Sequence, residues 1–179
     1  NFFDLQPCIE DLMTVSQVDY YYFYQDMWGA KKVFEKKPQY HVDIGSSTWL
    51  VGILSQFTSV CSVDVRPLEV NLSGLENKKG DIRKLPFMDN SLESISSLCV
   101  IEHIGLGRYG DELDPLGTEK AISELKRVLK KGGNLYVSVP IDNEEKVYFN
   151  ANRTFEVKSF IDKFNPLKSR PRKCARHAS

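Results

Sequence analysis

A chain of 179 residues is long enough for one domain around a single core and too short for two sizeable ones. Hydrophobic residues at 41% and charged residues at 27% are ordinary for a globular protein, and no apolar run approaches the length of a membrane span. Lys+Arg and Asp+Glu balance at 24 each, so no overall field points to nucleic acid or an acidic membrane, although the C-terminal tail is basic.

Cys8, Cys61, Cys99 and Cys174 show no CxxC spacing, and Cys61 and Cys99 fall in predicted strands. Reduced thiols in a cytoplasmic protein are expected, rather than a disulfide or metal framework. His41, His103 and His177 are isolated, with no metal-ligand spacing, and no metal is expected. The chain starts at Asn1 rather than Met and shows no basic-then-apolar signal pattern, which would suit a fragment of a longer protein.

Residues 1–16 carry little signal beyond a short helical turn around Ile9 to Met13. In DYYYFYQDMWGAKKVFEKKP, Tyr20, Tyr24, Met27 and Phe34, with Phe23 and Ala30 beside them, follow helical spacing, and Pro38 marks the stop. The stripe predicts core packing; if the helix caps the C-terminal edge of a sheet, one or two tyrosines could line a pocket. The run HVDIGSSTWLVGILSQF then reads as strand (His41 to Ile44), small-residue turn (Gly45-Ser46-Ser47) and helix (Thr48 to Phe57), with Leu50, Val51, Leu54 and Phe57 on one face. This is the opening unit of an α/β sheet, and its turn delivers the chain into a helix N-terminus whose backbone N–H groups face the space above the sheet. A crossover turn without a ligand is the alternative.

Val60 to Val65 reads as a second buried strand. Asp64 lies near its end, about 20 residues past Asp43, the spacing of a ribose-binding acid; a turn-capping Asp is the alternative. Residues 66–80 offer no clear third strand, although Asp81 falls where a short one would end. Leu85-Pro86-Phe87 is an apolar turn, and Leu92 to Val100 reads as a central strand with Glu102 and His103 just past it, where ligands collect in open α/β sheets. Gly105-Leu106-Gly107-Arg108-Tyr109-Gly110 matches G-x-G-x-x-G literally but comes too late, opens no helix and has no acid closing a next strand. It is read as a loop over the sheet edge, in which Arg108, Tyr109 and Asp111 are either acceptor-site groups or solvated.

Asp114-Pro115 starts a helix with Ala121, Ile122, Leu125, Val128 and Leu129 on one face, closed by Lys130-Lys131 and stopped by Gly132-Gly133. Asn134 to Ile141 is a strong strand, and Thr154 to Phe164 a short helix with Phe155, Phe160, Ile161 and Phe164. The tail from Asn165 to Ser179 has no apolar period and is expected to be disordered.

The order HVDIGSS, VDVRP, GDIRKLPFMDNSLESISSLCVIEHI and ELKRVLKKGGNLYVSVP, spanning residues 41–140, resembles the Rossmann-like S-adenosylmethionine-dependent methyltransferases. More narrowly, YFYQDMWGAKKVF and EHIGLGRYGDELDP are similar to an uncharacterised domain family within that superfamily. The resemblance implies an α/β three-layer sandwich with a mostly parallel sheet. It divides the chain into an N-terminal segment with the aromatic helix (1–39), the Rossmann-like domain (40–164) and the basic tail (165–179).

The implied activity is methyl transfer from S-adenosyl-L-methionine to a small-molecule or sugar acceptor, with no nucleic-acid partner; an inactive methyltransferase-like scaffold is the alternative. Carried over, Asp43, Gly45, Ser46 and Ser47 would meet the methionine part of the cofactor, Asp64 the ribose hydroxyls and Asp81 the adenine amino group. Ile82 and Leu85 would pack on the adenine face. His103 is the first candidate for a catalytic base, with Glu102, Tyr109 and Asp111 behind it. The chain departs from the family pattern where Ser47 and Trp49 replace two glycines of the first turn, and in lacking two further C-terminal strands.

Overall fold

Five strands, β1 (Tyr40–Ile44), β2 (Ser59–Asp64), β3 (Leu75–Lys79), β4 (Leu92–Leu98) and β5 (Leu129–Ser138), pair in the order β3-β2-β1-β4-β5, and every pairing is parallel. The computed structural model describes residues 18–149 and 151–171; the turn expected at Ile9 to Met13, together with Cys8, Cys174 and His177, lies outside the described residues. Strand order reverses between β1 and β4, so a crevice opens above their C-terminal ends, where open α/β sheets bind ligands.

Helices α1 (Tyr20–Lys36) and α2 (Thr48–Leu54) cover one face of the sheet, and α3 (Gly117–Val128) and α4 (Val157–Lys163) the other. Alternation along β1 sends Val42 and Ile44 into the larger core with Cys61, Val63, Ile95, Ala121, Leu125 and Phe160. His41 and Asp43 point the other way, and both are completely buried. All five apolar residues expected on the face of α3 are buried, as are Phe155, Phe160 and Phe164.

The aromatic stripe of α1 is a correction. Tyr20, Phe23, Tyr24, Met27 and Phe34 are exposed, and the buried face is Gln25, Asp26, Gly29, Ala30 and Val33. In a run with aromatics at nearly every position, periodicity does not single out a face; closeness of packing does. A Cβ on Gly29 would stand 2.9 Å from Leu98 Cδ1 and 3.4 Å from Leu50 Cδ1, so only the small-residue side lets α1 approach α2 and β4. We therefore expect Val33→Ala to cost about 2 kcal/mol and Phe34→Ala less than about 1 kcal/mol in denaturant unfolding, the reverse of what side-chain size alone suggests.

Other differences are local. α2 ends at Leu54, and Phe57 sits half-exposed in the turn beyond it, edge-on to Phe34. β3 was missed because an edge strand reading LENKK has no apolar alternation, only the polar surface that keeps an edge from pairing further. α3 stops at Val128, because Leu129 is already extended, and Lys130 to Gly133 form a bulge in β5: the ladder steps from Leu92↔Leu129 to Ser94↔Asn134. β5 ends at Ser138 rather than Ile141, and residues 153–154 form a strand instead of the start of α4.

β6 (Lys146–Val147) and β7 (Arg153–Thr154) pair with each other outside the main sheet, so among the described residues no strand extends the sheet beyond β5. Of the tail expected to be disordered, Leu167 packs against the core, while residues 172–179 lie outside the described residues. No helix of the described residues is long and apolar enough to cross a membrane.

Candidate functional site

The first turn is built from its own small polar side chains. Gly45 has φ of 69°, its N–H donates to Val63 O at 3.0 Å, and a Cβ there would sit 3.1 Å from Val100 Cγ1. Asp43 lies under the turn: Oδ1 accepts from Ser46 N at 3.1 Å and Oδ2 accepts from Ser96 Oγ. Burial raises the Asp43 carboxyl to about 6 against these bonds. Both oxygens are thus engaged within the protein, and Asp43 shapes the turn. Ser46 Oγ accepts from Leu98 N at 2.9 Å, tying the turn to β4. Ser47 N-caps α2, accepting from Leu50 N at 3.1 Å, and donates to Asp26 Oδ2. Trp49 is turned outward and 80% exposed.

At the end of β2, Asp64 accepts from Arg66 N at 2.8 Å through Oδ1, while Oδ2 lies 3.6 Å from where a Cβ of Gly45 would be. Asp81 is held by Arg83 through Nε at 3.0 and 3.1 Å and Nη2 at 2.8 Å. Burial pushes the Asp81 carboxyl up, but the hydrogen bonds and charge of Arg83 outweigh it and hold the group below its usual range. Ile82 and Leu85 belong to the core at 5% and 3% exposure. Their loop is clamped by Glu124, which accepts from Leu85 N at 2.8 Å, and by Arg127, which donates to Leu85 O at 3.1 Å and Phe87 O at 2.9 Å.

Past β4, Cys99 adopts a φ of 55°, rare for a residue with a Cβ, which turns the chain into a 3-10 turn (Ile101–His103). Glu102 is 1% exposed, its Oε2 has no hydrogen-bond partner, and burial raises its carboxyl to about 7. His103 Nδ1 lies 2.6 Å from Ala151 O, so Nδ1 carries the proton; Nε2 faces Glu102 Oε1 at 3.9 Å. Burial, and after it the nearby Arg108 charge, hold the His103 pKa below its ordinary value, so the ring is neutral.

The glycine run after β4 is a braced loop, not a dinucleotide turn. Asp111 accepts from Gly105 N at 2.7 Å and Tyr109 N at 3.3 Å. The Tyr109 ring meets His103 edge-on at 5.6 Å and is flanked by the Arg66 guanidinium at 4.7 Å and that of Arg108 at 5.3 Å. This loop therefore crosses from the β4 end to the β2 end, above the crevice. Sequence reasoning missed Gln25 and Asp26 on α1, and Ser138 at the end of β5; the only signal was two polar residues at the inward phase of an aromatic helix.

Among the described residues no His/Cys/Asp/Glu group could hold a metal. A groove of about 450 Å³ on the outer side of α2, lined by Thr48, Trp49, Gly52, Ile53 and Gln56, is open and has no titratable group, so it is not the site.

Residues 72–159 match a family model described as Caenorhabditis protein of unknown function, DUF268. Among solved structures, the Haloferax volcanii complex of the Trm112 methyltransferase activator with a candidate methyltransferase matches at TM-score 0.53 and 16% identity, over 83% of this chain and 76% of that one. A candidate methyltransferase of Bacillus halodurans matches at TM-score 0.52 and 17% identity, over 75% and 65%. The chain has the fold of the S-adenosylmethionine-dependent methyltransferases. No curated protein matches.

The methyltransferase fold by itself does not fix the chemistry, since the [4+2]-cyclase SpnF matches at TM-score 0.58 and 16% identity, over 78% of this chain and 54% of that one. The chain thus spans less than two thirds of the length of the second and third of these structures. Within this fold, the first turn, the acid of β2 and the Glu102-His103 pair follow the C-terminal ends of β1, β2 and β4.

Proposed function

We propose that the chain binds S-adenosylmethionine in the crevice between β1 and β4 and transfers its methyl group to a small-molecule or sugar acceptor. The observation that carries this reading is the free oxygen of Asp64 beside the positive-φ Gly45: a carboxylate at a strand end, next to a turn narrow enough for backbone contact. The residues present fit the cofactor, whose bound form supplies a methyl group on a cationic sulfur.

In this reading Asp64 Oδ2 accepts from the ribose hydroxyls, and Gly45 and Ser46 leave room for the ligand at the turn. Asp81 stands at the adenine edge, its carboxylate fixed in orientation by Arg83, with Ile82 and Leu85 as the apolar floor behind it. Glu102 Oε2 takes the proton from the acceptor, and Tyr109 with its two flanking guanidinium groups limits water entry from the β2 side.

Titration calorimetry with S-adenosylhomocysteine tests the reading. One-to-one binding is expected, with Asp64→Ala weakening it about 10- to 100-fold through loss of charge-assisted hydrogen bonds. No binding at millimolar ligand would overturn it and leave the inactive-scaffold alternative.

A further inference from the structure

Arg66 and Arg108 come from different parts of the chain and meet on one ring. Arg66 follows β2 by two residues, Arg108 lies in the loop after β4, and their guanidinium groups stand 4.7 and 5.3 Å from the centre of the Tyr109 ring. Arg108 is fixed further through Nη1, which donates to Ala151 O at 3.0 Å. All three residues are exposed.

Neither cation has a counter-ion in the fold. Among the described residues, Arg83 pairs with Asp81 and Asp114 and Arg127 with Glu124 and Asp89, whereas Arg66 and Arg108 form no ion pair. The acids of the same loops are turned to backbone donors. Asp64 Oδ1 accepts from Arg66 N at 2.8 Å, and the two oxygens of Asp111 accept from Gly105 N and Tyr109 N. Sharing a ring keeps the two guanidinium groups within about 10 Å of each other, one Debye length, so their fields add beside Tyr109. A free surface arginine swings into water and is screened, but two held on one ring give up side-chain freedom without gaining an ion pair. That arrangement is preorganised for an anion, and the planar fork of arginine suits the paired oxygens of a carboxylate or phosphate.

The pair also faces the candidate base. The Tyr109 ring is edge-on to His103 at 5.6 Å, and His103 Nε2 lies 3.9 Å from Glu102 Oε1. At Glu102 burial raises the carboxyl and the Arg108 charge opposes the rise; at His103 burial lowers the ring's pKa and the Arg108 charge adds to the fall. We propose that Arg66 and Arg108 hold a carboxylate or phosphate group of the acceptor, so that the acceptor is an anionic molecule. This rests on the methyl-transfer reading above and narrows its acceptor class. In that reading the adenosine part of the cofactor, at Asp64 and Asp81, carries no anion, and its one carboxylate, on the methionine part, is placed at the first turn.

The test titrates the whole chain by calorimetry with inorganic phosphate and with acetate at low ionic strength, and separately with S-adenosylhomocysteine. The parent is expected to bind at least one of the two anions one-to-one. Phosphate alone assigns a phosphorylated acceptor, acetate alone a carboxylic acid, and both together recognition by charge. Arg66→Gln and Arg108→Gln should each weaken the bound anion at least fivefold and keep S-adenosylhomocysteine within about threefold, which also shows that they are folded. Lys130→Gln removes a charge at the starts of β4 and β5, the other end of the sheet, and should leave the anion within about twofold. Equal losses in all three variants, or a parallel loss of S-adenosylhomocysteine in the arginine variants, would overturn the subsite. A parent that binds S-adenosylhomocysteine and neither anion overturns this inference alone. One that binds an anion but not S-adenosylhomocysteine keeps the arginine site and overturns the cofactor reading, and one that binds nothing overturns both.

Discussion

Glu102→Gln is expected to lower methyl transfer by about 10²- to 10⁴-fold while leaving S-adenosylhomocysteine affinity within about twofold, the range typical for losing a positioned general base. Glu102 lies in the 3-10 turn after β4, is 1% exposed, and its Oε2 has no hydrogen-bond partner. Gln keeps the shape and removes the basicity. The pH dependence carries the sign: burial raises the carboxyl from 4.5 to about 7, and only the deprotonated form accepts a proton, so transfer should rise as pH rises through about 7 and level off above it. His103 competes for the same role. Its Nδ1 proton is committed to Ala151 O and burial keeps the ring neutral, so a His103 base would place the rising limb below the ordinary histidine range. The measurement is turnover of labelled S-adenosylmethionine with an acceptor found by screening small alcohols and sugars, across pH 5 to 9. A Glu102→Gln variant that retains both rate and rising limb assigns the base elsewhere.

The parts of this protein legible in its sequence are those where one local signal meets no competitor. Strand, small turn and helix around Gly45 combine a β-rich apolar run with a turn that needs φ above zero, and the structure keeps all three. The face of α3 was legible because its apolar residues are few and strictly spaced. α1 was legible as a helix, with Asp19 as its N-cap, but not in orientation, because aromatics occupy both sides and the deciding residues are the small Gly29 and Ala30. Around the first turn, Asp64 at the end of β2 and the Glu102-His103 pair just past β4 were legible in position, because each follows directly on a strand that the sequence marks. Gln25, Asp26 and Ser138 were not, since their pairing spans separations such as the 113 residues between Gln25 and Ser138, which no local pattern encodes. Asp111 was legible as a residue of the loop but not as its brace: one carboxylate accepting from two backbone N–H groups is a property of the folded loop.

Asp43→Asn is expected to gain about 3 kcal/mol of stability relative to the parent as pH rises from about 4 to 7. Asp43 is wholly buried, and burial lifts its carboxyl from 3.8 to about 6, with the Ser96 and Ser46 hydrogen bonds opposing and the nearby Asp26 adding to the rise. Because the folded-state value is the higher one, the native protein holds more protons than the unfolded chain between about pH 4 and 6, so parent stability falls as pH rises through that window and flattens above it. The displacement corresponds to about 3 kcal/mol. His41, which burial lowers to about 4, acts in the opposite direction, but it is present in both proteins and largely cancels in the difference. The substitution costs no hydrogen bond, because the buried chain can reverse. In the parent, Ser96 Oγ donates to Asp43, so His41 Nε2 carries the proton toward Ser96 at 2.8 Å and Nδ1 accepts from Ser94 Oγ at 2.8 Å. In the variant the amide nitrogen donates to Ser96 Oγ, the serine proton turns to His41 Nε2, the imidazole proton moves to Nδ1, and Ser94 Oγ accepts it, while the amide oxygen still accepts from Ser46 N. Denaturant unfolding of both proteins from pH 4 to 8 measures the difference. A constant offset would mean that Asp43 stays ionised in the fold, and that its hydrogen bonds outweigh its burial.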